Sequence, residues 1–151
     1  MSPLDAGVLA AHAASVWGMV GLIWFVQRVH YPAHSLVPAD AYVRYQGAHV
    51  ARTGPVVGPL MAVELLTTLW LCSSPPPGVP GWLPWAGLAA VAVNWASTAG
   101  LQIPRHDTLS RGFDAHAART LVSTNWIRTA AWTAHGGLSA WMLFAALTHQ
   151  S

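Results

Sequence analysis

Asn125, Arg128, Trp132 and His135 lie three, four and three residues apart inside an otherwise apolar run from about Thr120 to Leu147. On a helix this spacing puts all four on one face, opposite Ile127, Ala130, Ala131, Ala134 and Leu138. The run exceeds the roughly 20 residues that span a bilayer core. A charged group held in hydrocarbon costs about 3 kcal/mol even on lenient insertion scales. The stripe must therefore face protein or trapped water, and the rest of the chain has to supply the helices that cover it.

Three further apolar segments are available, over about residues 5–30, 54–72 and 82–103, with the fourth at 120–147. The chain is 54% hydrophobic and 8% charged, against roughly a quarter charged in a soluble domain. The expected fold is all-α, one domain over residues 1–151. Its form is an integral membrane four-helix bundle, up-down-up-down. Between helices one and two, Leu36 to Thr53 is amphipathic, with Tyr42, Tyr45 and Val50 against Arg44, Gln46, His49 and Arg52. After Pro38 this predicts a short interfacial helix. Pro104 is expected to stop helix three, and Asp114 or Thr120 to cap helix four. The start, MSPLDAG, has no basic region, so the first segment is expected to be retained rather than cleaved.

All seven basic residues are arginines. Those outside helix centres fall in loop one (Arg44, Arg52) and loop three (Arg105, Arg111, Arg119), which places those loops in the cytoplasm and both termini outside. A bacterial inner membrane is the expected location. Trp70, Trp82 and Trp85 flank the uncharged loop two as an aromatic belt would. Cys72 lies beside that loop, so a membrane-impermeant maleimide should label it in intact cells; labelling only after lysis would invert the topology. With one cysteine there is neither an internal disulfide nor a multi-cysteine metal site. A net charge of +2 spread over so few groups makes no nucleic-acid patch. The expected partners are the bilayer, a hydrophobic small molecule and, where small residues four apart favour close helix packing, a second copy in a homo-oligomer.

Converting position to depth at about 1.5 Å per residue gives two polar layers. Trp17, Asn94, Trp95, Trp132 and His135 fall near the midplane, with Glu64 somewhat above. Gln27, His30, His34, His49, Gln102, His106, Asn125 and Arg128 fall near the cytoplasmic side. Glu64 is a carboxylate at mid-helix and must be protonated, paired or bound to a cation. His135 and Arg128 are its expected partners, as catalytic acid/base groups or as a structural tie between helices two and four. Arg128 with Asn125 can hold an anionic or carbonyl oxygen through the guanidinium fork, unless the arginine snorkels to the interface. Trp17, Trp95 and Trp132, with Asn94, Gln102 and Gln27, are the candidate substrate-binding set. His30 and His34 form an H-x3-H pair interrupted by Pro32. With His49, His106 and His116 they offer nitrogen ligands for iron, copper or haem, or are simply solvated interfacial histidines. His12 and His149 are assigned no more than a structural or exposed role.

Three short motifs carry a resemblance: Tyr31, Pro32 and His34 after helix one; Gln102, Pro104 and His106 closing helix three; and Asn125, Trp126, Arg128 and Thr129 opening helix four. Together with four helices in about 150 residues, they resemble the anthrone-oxygenase-like group of small membrane proteins. Where that group has a P-x-N element after helix three, this chain has Pro104, Arg105 and His106. The resemblance implies a shared fold and site location.

The resulting expectation is a membrane oxidoreductase or oxygenase acting on a flat, lipid-soluble aromatic or quinone-like substrate. Arg128 and Asn125 would stabilise a developing phenolate and Glu64 or His135 would move the proton. Three alternatives stand beside it. One is a metal- or haem-binding redox protein built on the histidines. Another is a proton-coupled carrier relaying through Glu64, His135 and Asn94. The last is an accessory membrane subunit without chemistry of its own.

Overall fold

The computed structural model describes residues 1–149. Among them there are four long helices, one short one and no strand. Helix α1 is Pro3–Phe25. Ser2 accepts from the Asp5 amide, and Asp5 reaches back to the Ser2 amide, a capping box that satisfies two orphan donors. A π turn, Val26–His30, and a 3-10 turn, Pro32–Leu36, continue it.

Helix α2 is Ala39–Ser73, unbroken over 35 residues. The expected separate interfacial helix is therefore corrected: it is the first part of α2. Pro55 and Pro59 stand inside the helix without ending it. Each removes one backbone bond, while Tyr42 and Gln46 below and Met61, Glu64, Thr68 and Leu71 above are buried on both sides of the two prolines. Helix α3 is Trp82–Ser97, followed by a π turn at Thr98–Gln102 and the short helix α4, Ile103–Leu109. Pro104 starts α4 instead of stopping α3, because a proline in a first turn removes an amide that has no helical partner anyway. Helix α5 is Ala115–Thr148, and Asp114 caps it by accepting from the Ala117 amide at 2.8 Å. Between α2 and α3, the Val79 amide bonds the Pro76 carbonyl at 3.1 Å, and Gly78 takes φ +87°. Pro77 followed by a glycine at positive φ suits a type II turn.

Helix α1 packs on α2 and α5, and α3 packs on α2 and α5, so the four long helices close a ring around a shared interior. That interior sets polar side chains between three apolar clusters, centred on Leu71 and Met142, on Val16 and Met19, and on Tyr42 and Leu121. Gln27, Gln46, Glu64, Asn94, Gln102, Asn125 and His135 are all buried. Large apolar side chains stand outside, Leu66 and Phe144 at 66% exposure and Trp85 at 59%. Trp70 and Trp82 of the expected belt are exposed with Trp85. Of the four expected spans, two helices are long and apolar enough to cross a membrane: α1 with its continuation to Leu36, and α2.

The two π turns explain how the lower interior is built. Each inserts an extra residue into a turn and rotates a glutamine inwards. Gln27 donates to the Val122 carbonyl at 3.1 Å and accepts from Asn125 Nδ2 at 2.9 Å. Gln102 donates to Thr124 Oγ1 at 3.1 Å. Both bonds end on α5, so α1 and α3 are pinned to the same helix at the same level.

Candidate functional site

The upper polar layer is centred on Glu64, 1% exposed. His135 Nδ1 donates to Glu64 Oε1 at 2.7 Å, and Trp132 Nε1 donates to both carboxylate oxygens at 3.1 and 2.9 Å. Three bonds from two α5 side chains one turn apart thus satisfy an α2 carboxylate. His12, assigned no more than a structural or exposed role from sequence, is fully buried here. It packs edge-on against His135 with ring centroids 5.2 Å apart and bonds Thr67 Oγ1 at 3.2 Å. Gly87 of α3 makes room for this arrangement, since a Cβ there would lie 2.9 Å from His135 Nε2. Asn94 is buried, and neither of its amide atoms has a protein partner among the described residues.

Arg128 is not a partner of Glu64. Its guanidinium lies 5.0 Å from the Trp132 ring centroid, so Trp132 stands between the arginine and the carboxylate. Arg128 donates to Asn125 Oδ1 at 3.2 Å and shares the cavity wall with Tyr31. At 6% exposure it does not snorkel to the interface. The sequence-derived convergence of carboxylate, imidazole and guanidinium is therefore two sites: a closed Glu64–His135–Trp132 knot, and Arg128 one turn below it.

Arg128 belongs to the wall of a cavity of about 240 Å³ enclosed by α1, α2, α5 and the α3–α4 junction. Its apolar part is made by Leu22, Ile23, Val26 and Val57, and its polar end by Arg128, Tyr31, His49, His106 and Gln102. Its exposed lining residues are Val50 and Ile103, at 46% and 52%, together with Gly54 and the charged Asp107. Trp17 and Trp95, expected to wall a substrate, lie instead on the outside at 50% and 43% exposure. Only Trp132 of that trio is buried. Which side of each helix faces inwards is set by the α1–α5 and α3–α5 contacts, not by helical spacing alone.

The polar end has an internal order. Gln46 Nε2 approaches His106 Nδ1 at 2.9 Å and the His106 carbonyl at 3.5 Å. A donating Gln46 leaves the ring proton on Nε2, which donates to the Tyr31 hydroxyl oxygen at 3.1 Å. Burial holds His106 far below the ordinary imidazole range, to about 3, and His49, His34 and Arg128 push the same way, so the ring is neutral at physiological pH. The Tyr31 oxygen thus accepts from His106, and Arg128 stands on the same cavity wall.

Beside this end lie the other histidines. One nitrogen each from His30, His34 and His49 falls within 4.8 Å of the others. His30 Nε2 and His49 Nδ1 are 2.9 Å apart, and His34 Nδ1 bonds Tyr42 at 2.9 Å. His106 is not a fourth member, because both its ring nitrogens are already engaged. His116 is exposed on α5 and lies apart from the group. His34 is 1% exposed, so it is not a solvated interfacial side chain. Sequence reading missed Tyr31, Gln46 and Tyr42 as site residues. The signal for two of them was present, since Tyr42 and Gln46 are four apart on the face of α2 that also carries His49.

Comparison with protein-family models, with curated proteins and with solved structures finds no match to this chain.

Proposed function

We propose that the chain is an integral membrane protein of four spanning helices, up-down-up-down, with both termini outside a bacterial inner membrane. On this reading it is an oxidoreductase that takes a flat, lipid-soluble phenol, anthrone or quinone into the cavity beneath Trp132. One observation supports the reading above the others: a cavity with apolar walls, lined on its exposed side by Val50 and Ile103, ends on a buried guanidinium, a tyrosine and neutral histidines. An amphipathic ring system with one oxygen end fits that division, and it can enter laterally from lipid. The apolar exterior and the polar side chains buried inside support the membrane assignment, since monomeric soluble proteins rarely expose apolar surface on this scale.

In the proposed reaction the substrate loses a proton, and negative charge develops on its oxygen at the Arg128 end. Asn125, fixed by Gln27, holds the guanidinium in place. Asp107, whose carboxylate lines the cavity, is the group positioned to accept the proton, and Tyr31 hydrogen-bonds the substrate oxygen. This replaces Glu64 and His135 in that role, because neither lines the cavity. Dioxygen, itself lipid-soluble, is the oxidant. For an anthrone the methylene carbon becomes a carbonyl, taking one oxygen atom, and the other leaves with the two hydrogens as water. Membership in the anthrone-oxygenase-like group is part of the same proposal.

Gly54 tests it. It lines the cavity, and a Cβ there would meet no atom within 4 Å. Gly54→Leu should therefore fold normally yet obstruct the cavity and lose binding of a hydroquinone or anthrone, followed by tryptophan fluorescence in detergent. Unchanged binding in the folded variant would place any ligand elsewhere.

A further inference from the structure

We infer that His30, His34 and His49 form a binding site for one divalent transition-metal ion, with an open coordination position beside the cavity. The inference goes beyond the proposed reaction and holds whatever the cavity takes. Three observations converge on it.

The first is the grouping itself. Two segments that are far apart in sequence, the turns after α1 and the middle of the lower half of α2, bring three ring nitrogens within 4.8 Å of one another. Nitrogen ligands at 2.0–2.1 Å from a tetrahedral ion stand roughly 3.3 Å apart. His30 Nε2 and His49 Nδ1, at 2.9 Å, would open by a few tenths of an ångström and His34 would close in. Rotation about side-chain torsions suffices for both.

The second is the state of each ring. Tyr42 holds His34 Nδ1 at 2.9 Å, which leaves His34 Nε2, a buried atom with no protein partner among the described residues, as its ligand atom. An imidazole fixed through its far nitrogen by an oxygen is the arrangement that orients metal-bound histidines. His30 Nε2 and His49 Nδ1, in contact, can share only one proton between them. A metal ion takes the place of that proton, which moves to the other nitrogen of the same ring, so both rings stay neutral when they bind it.

The third is access. His30 and His49 are half-buried and line a cleft with Thr53 and Arg52 on the outer side, while His49 also lines the cavity. Three ligands with a way in from two sides match a site that keeps a position open, as catalytic sites do.

The donor set narrows the ion. Three neutral imidazoles without a carboxylate suit zinc, copper, iron or nickel and not magnesium or calcium. Ring centroids 4.5, 5.4 and 5.7 Å apart leave no slot among the three for a porphyrin plane, which favours a bare ion over haem. Neutral ligands leave the double charge uncompensated, and Arg52 and Arg128 add to it. The open position therefore favours an anionic oxygen, hydroxide or a phenolate.

The test is calorimetric titration of chelator-treated, detergent-purified protein with Zn(II), repeated with Co(II) to read the tetrahedral absorption bands. One ion per chain is expected. His34→Ala and His49→Ala should weaken binding at least tenfold and remove the Co(II) bands. Tyr42→Phe, which only positions His34, should weaken binding about tenfold and keep the stoichiometry. His116→Ala and His149→Ala, both on exposed rings, should change nothing. If His34→Ala fails to fold, His30→Gln at a half-buried position gives the same readout. Binding indifferent to His30, His34 and His49, or lost equally with His116→Ala, means an adventitious ion only and overturns the site. Because the readout is the ion and not turnover, failure here leaves the cavity proposal standing, and an inactive cavity leaves the metal result standing.

Discussion

Glu64→Ala should lower the free energy of unfolding by about 2–5 kcal/mol, since each buried donor left without its acceptor costs about 1–3 kcal/mol. The substitution strands two donors at once. His135 Nδ1 loses its 2.7 Å bond and Trp132 Nε1 loses both of its acceptors. Both rings are 0% exposed, so water cannot replace the carboxylate without opening the helix ring. Glu64→Gln should cost less, because its amide oxygen can still accept from Trp132 or His135, though not from both with equal geometry. The pairwise character can be measured in a double-mutant cycle by denaturant titration in mixed micelles. If Glu64→Ala and His135→Ala remove the same interaction, the double variant should lose clearly less than the sum of the singles. An Ala variant within about 1 kcal/mol of the parent, or strictly additive singles, would show that the carboxylate does not tie α2 to α5.

That prediction also marks where the sequence was legible. A lone glutamate in an apolar run, and a histidine on a polar stripe elsewhere, announce one another because neither is tolerable alone in such surroundings. The pairing of Glu64 with His135 follows from that scarcity, and the Asp114 cap from the preference for a short acidic side chain before a first helical turn. What sequence could not show was azimuth and backbone irregularity. Trp17 and Trp95 face outwards, at 50% and 43% exposure, and Trp17 lies along the α1–α5 seam beside Gly136. The π turns at Val26–His30 and Thr98–Gln102 shift every later residue by part of a turn. A regular-helix count therefore could not foresee that His106 would spend both ring nitrogens on Tyr31 and Gln46. Nor could it show Pro104 opening a helix or α2 running straight through two prolines.

Arg128→Ala should reduce turnover of a lipid-soluble hydroquinone or anthrone by about 10²–10³, the loss typical when a preorganised donor to a developing oxyanion is removed. The side chain is nine-tenths buried and its neighbours fix it: Asn125 Oδ1 accepts from it and Trp132 lies against its face. Such a guanidinium needs no reorganisation when charge appears on a bound oxygen. Lysine keeps the charge but not the planar fork, so it loses the geometry of the bond to Asn125. Arg128→Lys should therefore recover only part of the rate. The split between constants decides what the arginine does. A fall in kcat with KM little changed means that it acts on charge formed during the reaction, whereas a rise in KM alone means uniform binding. Helix content by circular dichroism checks that the variant is folded, since Asn125 retains its bond from Nδ2 to Gln27 when the arginine is gone. A folded Arg128→Ala protein with parental kcat would remove the guanidinium from the chemistry, and the cavity would then be a binding site whose reactive groups lie elsewhere.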